Sequence, residues 1–382
     1  MREVVIVGAD MTPFAKHRDT TLAALGARAA LGALRDAGAD RAQIDAVYCG
    51  NVLGGMMVGQ RTILPLGMGG MPVINVENAC SSSASALHEA YRAVGNGVYD
   101  TVLVIGSEKL TALGGGPLPL PEEDHEVANG QIMPAVYAMR ARRYMHEFGL
   151  KAEDLAAVAV KARRHGARNP YAQMRKETTV EEVLSSRPVA LPLTLFQACP
   201  NGDGAAALVV TAREHADRFN NTPVAIRASV LHSGTPTAGF RDMTMPEISQ
   251  HGAADAYRQA GVGPDDIDVV ELHDAFTIAE LIYYEALGFA ERGGAAQLLH
   301  SGATTFGGST VVNPSGGLLA KGHPIGATGA AQAVEIVWHL RGQAGARQVT
   351  GARWGMTHAT GGGMSMVDHG ACTIHIFEGL AA

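Results

Sequence analysis

Three times in this chain a short apolar run of the kind that forms a buried β-strand stops at polar residues and gives way to small residues that open a helix. The runs are Val73–Val76 before Cys80, Val269–Leu272 before His273, and Val311–Val312 before His323. Strands alternating with helices demand a sheet covered by helices. In open α/β sheets the chemistry collects beyond the carboxyl ends of the strands, which is where these three polar residues stand.

Cys80 is followed by Ser81, Ser82, Ser83, Ala84, Ser85 and Ala86, so its thiol sits at the start of a helix. Unpaired backbone N–H groups and the helix dipole at such a place favour thiolate over thiol. A free cysteine is otherwise a small buried hydrophobe, and a nucleophile needs a base beside it. His323 is the candidate: glycines on both sides and Pro324 directly after it hold the imidazole on a tight turn, presented and not packed, ahead of an apolar-periodic helix over 332–340. His273 again ends a β-branched run, and Glu280 falls in the first turns of the following helix, where a carboxylate suits the dipole.

With 382 residues the chain is long enough for two or more packed units, and 47% hydrophobic, 18% charged residues and 47 glycines read as a compact α/β enzyme with close helix contacts. A formal charge of -7 argues against nucleic acid as a partner. No apolar stretch is long enough to span a membrane, and neither a signal peptide nor a peroxisomal address is expected. Cys49, Cys80, Cys199 and Cys372 show no paired spacing and no zinc pattern, which fits reduced thiols in a cytoplasm and no bound metal. No G-x-G-x-x-G opens a helix after the first strand, so a dinucleotide site is not expected.

Along the chain, residues 2–8 read as a strand, 21–37 as an alanine-rich helix, and 46–49 and 101–106 as strands. From Gly114 the pattern breaks into a Gly- and Pro-rich stretch and then helices over 133–148 and 155–168, until strand-like sequence resumes near Val189. Arg140, Arg142 and Arg143 read as an exposed charged helix face. His369 and His375 read as residues of a final alternating strand.

The segments around Asn78-Ala79-Cys80, His273-Asp274-Ala275-Phe276, Gly322 to Gly329 and Gly361 to Gly363 occur in an order and rough spacing that resemble the thiolase family. The likeness spans nearly the whole chain. It is nearest to the sterol-carrier-protein and archaeal types and to thiolase-like acyltransferases. The resemblance implies an α/β thiolase fold of two similar βαβ-type halves, which form a layered α-β-α-β-α core with an inserted loop domain. The N-terminal half would comprise 1–115 and 190–221, the loop domain 116–189 and the C-terminal half 222–382. It also implies a homodimer or tetramer, and coenzyme A thioesters as substrates with no tightly bound cofactor.

By the same likeness Cys80 would carry the acyl group, expected to be acetyl, from acyl-CoA to a carbon nucleophile, and His323 would serve as its base. Backbone N–H groups of Cys80 and Gly361 would hold the oxyanion, and His273 and His323 the enolate oxygen of the acceptor. The chain departs from the pattern at one point. Thiolases supply a second cysteine to deprotonate the acceptor's α-carbon, and the two places for it hold Ala275 and Ala359. Three readings follow. His358 replaces the missing cysteine; or the acyl group goes to an acceptor needing little activation, such as an electron-rich aromatic, as in relatives that work with a small zinc-ribbon and OB-fold protein; or the fold performs retro-aldol cleavage, against which the intact Cys80 counts. A subunit that only binds coenzyme A would lack the nucleophile or its base, and both remain.

Overall fold

The structure is a computed structural model that describes residues 1–236, 239, 241–363 and 367–380. Ten strands form two five-stranded units. The first holds β1 (Val4–Met11), β2 (Ala46–Gly50), β3 (Val73–Val76), β4 (Thr101–Lys109) and β5 (Asp203–Ala212). The second holds β6 (Val224–His232), β7 (Val269–Glu271), β8 (Val311–Val312), β9 (Trp354–Gly361) and β10 (Ala371–Gly379).

The spatial order is β3-β2-β4-β5-β1 in the first unit and β8-β7-β9-β10-β6 in the second. Adding five to each label of the first order gives the second. Strand sense repeats as well: β2 is parallel to β3 and β4, and β7 to β8 and β9, while the last two strands of each unit run antiparallel. The two units join edge to edge, β1 pairing antiparallel with β6 at Val5 with Ala225 and Ile6 with Val224. The chain is therefore two copies of one topology, a duplication its sequence has largely erased.

Two helices lie between the sheets, α2 (Ser82–Gly95) and α7 (Ile325–Leu340), with α1 (Leu22–Ala37) outside the first sheet and α5 (Glu247–Ala260) outside the second. The layers are thus α-β-α-β-α. Being covered on both faces, the inner strands read as continuous apolar runs, and all ten residues of β5 are buried. Helix α7 starts at Ile325, seven residues earlier than its apolar periodicity announces, because Gly326, Ala327, Gly329 and Ala330 are helical by virtue of what they pack against. A Cβ on Gly329 would come within 2.5 Å of the Ala84 backbone nitrogen, and the Ala330 N–H donates to Ser83 Oγ at 2.9 Å. Gly329→Leu should lower stability by about 3 kcal/mol or more, since backbone and not a flexible side chain must yield; thermal melting would measure it, and an unchanged Tm would mean the central helices are not in close contact.

Between β4 and β5 the chain inserts α3 (Met133–Phe148) and α4 (Ala152–Ala167). Lys161 of α4 reaches Glu280 of α6 (Thr277–Ala286) at 2.7 Å, with both side chains buried. Glu280 is indeed in the first turn of its helix, but its partner is this lysine and not solvent. The Gln173 and Met174 N–H groups donate to the carbonyls of Lys321 and Ala320 at 3.1 and 2.9 Å, so the insertion is hydrogen-bonded to the His323 turn. Arg142 and Arg143 are exposed as expected, whereas Arg140 is 3% exposed, ion-paired with Asp368 and donating to the Met243 carbonyl at 3.1 Å. That partner lies 228 positions away in sequence, beyond the reach of local helix patterning.

Candidate active site

Cys80 sits between β3 and α2 on a backbone forced out of regular structure. Ala79 holds φ of 48°, a left-handed conformation costly for a residue with a Cβ, and the Glu77 carboxylate accepts its N–H at 2.6 Å. Ser81 anchors the turn to the second unit, its Oγ 2.7 Å from Thr373 Oγ1. A backbone N–H faces the sulfur, but it belongs to Gly362. Gly361, expected for that role, instead closes β9 opposite Ala371, where any Cβ would collide with the Asn78 carbonyl.

His323 occupies in the second unit the place that Cys80 occupies in the first, between the third strand and the central helix. One ligand atom each from Cys80, His273 and His323 lie within 4.8 Å of one another, and the two imidazoles meet edge to face with centroids 5.0 Å apart. Thr328 donates its hydroxyl to the Pro324 carbonyl at 3.1 Å, so its oxygen accepts from His323 Nδ1 at 2.8 Å. That fixes the proton on Nδ1 and leaves a lone pair on Nε2, which is buried without a partner. His323 is only 4% exposed, so the turn presents it to an interior cavity and not to bulk water.

Burial changes the expected electrostatics. It pushes the Cys80 thiol up to about 12, against the opposing pull of the Gly362 and Cys80 amides, and it pushes His323 down to about 3. The resting pair is therefore thiol and neutral imidazole, not the thiolate that a helix start alone would favour. Desolvation outweighs the dipole here. Proton transfer from sulfur to Nε2 must then accompany attack on carbon. His273 is also held neutral by burial and by His323. Asp274 beside it is pushed well above the usual carboxylate range by burial and by Glu280, and accepts the Leu318 N–H at 2.7 Å. The cluster also has the chemistry of a zinc set, although a sulfur that attacks carbon needs its lone pairs free.

These residues form the inner end of a cavity of about 2040 Å³ whose wall includes Tyr137, Phe276 and His369. Tyr137 of the insertion stacks on Phe276 with centroids 4.6 Å apart, next to Ala275. His358 does not line this cavity. It is fully buried on β9, its Nε2 2.9 Å from Ser249 Oγ on α5 and its ring centroid 4.4 Å from that of Tyr283. A group facing the outer helix cannot reach an acceptor above Cys80, so the structure does not bring it to the other three. His375 belongs to β10, but His369 precedes that strand and turns into the cavity wall.

The family model for the thiolase N-terminal domain matches residues 4–214, and that for the thiolase C-terminal domain-like region matches 230–371. The chain belongs to the thiolase family. This thiolase is 44% identical over 380 residues to the benzoylsuccinyl-CoA thiolase subunit BbsB of Thauera aromatica, covering 97% of this chain and 98% of the relative. It is 40% identical to an acetyl-CoA acetyltransferase of Methanothermobacter thermautotrophicus, covering 99% of this chain and all of the relative. Among solved structures, the Ltp2-ChsH2(DUF35) aldolase superposes with a TM-score of 0.86 at 26% identity, covering 99% of this chain and 98% of that one. The human mitochondrial 3-ketoacyl-CoA thiolase with bound CoA shares the fold at a TM-score of 0.75 and 19% identity, covering all of this chain and 98% of that one. The protein is a thiolase-family acyltransferase acting on acyl-CoA.

Proposed function

We propose that this thiolase moves an acyl group from acyl-CoA through a thioester on Cys80 to a carbon nucleophile, with coenzyme A entering as substrate and no resident cofactor. The observation that carries this reading is the convergence of Cys80 and His323, from opposite units, on one cavity. His323 Nε2 takes the thiol proton as sulfur attacks the thioester carbonyl, then returns it to the departing coenzyme A sulfur. The tetrahedral oxyanion faces the Gly362 and Cys80 N–H groups, and His273 polarises the carbonyl of the acceptor. The aromatic wall of Tyr137 and Phe276 suits an acyl group bulkier than acetyl, in keeping with the benzoylsuccinyl-CoA named for the 44% identical relative.

The test is incubation with acetyl-CoA and benzoyl-CoA: free coenzyme A should appear and the Cys80 peptide should gain the acyl mass. A folded protein that releases no coenzyme A and gains no mass overturns the reading.

One observation favours a second reading, since the structure superposing at 0.86 is described as an aldolase. Retro-aldol cleavage consumes no coenzyme A, whereas thiolytic cleavage of a β-ketoacyl-CoA does, so coenzyme A dependence separates the two. The same structure carries DUF35 in its name, and the 44% identical relative is called a subunit. We infer that this thiolase assembles with a small zinc-ribbon and OB-fold protein, which purification from the native host would reveal. Homo-oligomerisation would use β3, an edge strand beside the exposed Met56, Met57 and Leu64. Among the described residues no helix is long and apolar enough to cross a membrane; the four free cysteines accord with a cytoplasmic setting.

A further inference from the structure

Carbon–carbon bond formation needs a base for the α-proton of the acceptor, and Ala275 and Ala359 supply none. Cys199 also lines the cavity, its N–H donating to the Ala275 carbonyl at 2.9 Å, but burial and the neighbouring Cys80 and Asp274 push its thiol up, which makes its thiolate costly. Three features point to His369. First, it lines the cavity while only 6% exposed, on the segment between Gly362 and β10. Second, that segment is tied to the nucleophile: the Gly362 N–H faces the Cys80 sulfur, and the Gly362 carbonyl accepts the Gly370 N–H at 2.8 Å. His369 is thus the neighbour of a residue bonded to the one that touches the sulfur. Third, its surroundings are those of a proton-transfer group. Its Nε2 lies 3.5 Å from both the Tyr137 and Tyr283 hydroxyls, its Nδ1 lies 3.2 Å from Asp368 Oδ2, and Asp368 is ion-paired with buried Arg140. Nδ1 has no aligned hydrogen-bond partner.

Resting on the acyl-Cys80 reading, we propose that His369 is the acid/base that takes the α-proton of the acceptor thioester in this thiolase, in place of the absent second cysteine. The step balances without an outside reagent. The α C–H bond breaks, its proton goes to the imidazole and its electron pair to the enolate, whose oxygen lies against His273. The enolate carbon attacks the acyl carbonyl, the new C–C bond forms, and the C–S bond to Cys80 breaks. The proton held by His369 then ends on the departing Cys80 sulfur. In the cleavage direction each transfer reverses. Burial and the neighbouring Arg140 and Arg241 hold the ring neutral beforehand, and the Asp368 carboxylate 3.2 Å from Nδ1 is the group that favours the proton once it has been transferred.

The experiment uses the protein with any subunit that co-purifies. Acetyl-, propionyl- and succinyl-CoA are each incubated in D2O, and acylation of Cys80 is followed beside exchange of the α-proton. His369→Gln should acylate within about twofold of wild type while α-exchange and condensation fall at least a hundredfold. His369→Ala should regain exchange on addition of imidazole, a rescue no purely structural role would give. His358→Gln should leave the exchange unchanged. Exchange within threefold of wild type in His369→Gln overturns the proposal. So does loss of acylation together with exchange in a folded variant, or an alanine variant that imidazole does not rescue. If wild type itself fails to acylate, it is the acyl-Cys80 reading that falls.

Discussion

Cys80→Ala is expected to leave the fold intact and to remove acyl-enzyme formation, lowering turnover by at least about 10⁴-fold, the scale on which enzymes lose rate with their nucleophile. The sulfur is the nucleophile of the proposed reaction, and the Gly362 and Cys80 amides face it. Intact-protein mass after exposure to acyl-CoA, and release of free coenzyme A, read the effect directly. Substantial coenzyme A release by the alanine variant would remove Cys80 from the mechanism. The electrostatics add a second signature. With His323 pushed down to about 3 and the thiol up to about 12, both partners keep their resting protonation across the neutral range. Acylation by wild type should therefore show no inflection near the ordinary imidazole value between pH 6 and 9. A step at about pH 6.5 would mean that His323 is solvated.

Mild acid should unfold this thiolase. Burial holds His165, His273, His323, His358, His369 and His375 neutral, each with its pKa far below the usual imidazole range. Once unfolded, each returns to about 6.5 and takes up a proton below that value. The unfolded chain then binds more protons than the folded one, so stability falls as pH drops through 6.5 and goes on falling toward the folded values, about 3 for His165, His323, His358 and His375. Each histidine contributes about 2 kcal/mol of this loss between pH 7.5 and 5, against a total stability on the order of 5–15 kcal/mol. Asp274 opposes it, because the folded state raises its pKa and keeps its proton where the unfolded chain releases it. The net result is a steep decline in Tm below pH 6.5 and loss of structure near pH 5, followed by circular dichroism. His375→Gln, away from the cavity, should flatten the slope. A Tm that stays level to pH 5 would show that these imidazoles meet water in the fold.

The three junction residues were legible because their chemistry is local: a thiol at a helix start and imidazoles at strand ends announce themselves by their neighbours. What surrounds them was not. The depth that raises the Cys80 thiol belongs to the assembled cavity. His358 and His369 escape a local reading, each for its own reason. On β9, covered on both faces, burial does not tell which side a residue looks toward, so His358 passed for a cavity group while facing Ser249. His369 stands in an alternating stretch, but it lies two residues before β10 begins and lines the cavity instead of continuing the strand. The duplication survives in strand order and sense, which side chains with different partners no longer record.

That repeated topology has a consequence for how the reaction centre is inherited. The corresponding turn carries the sulfur in one copy and the imidazole in the other, so neither half of the polypeptide is an ancestral enzyme in miniature. Reactivity belongs to the seam. Sequence drift that tilts one sheet against the other by an ångström would silence the chemistry while leaving every side chain in place.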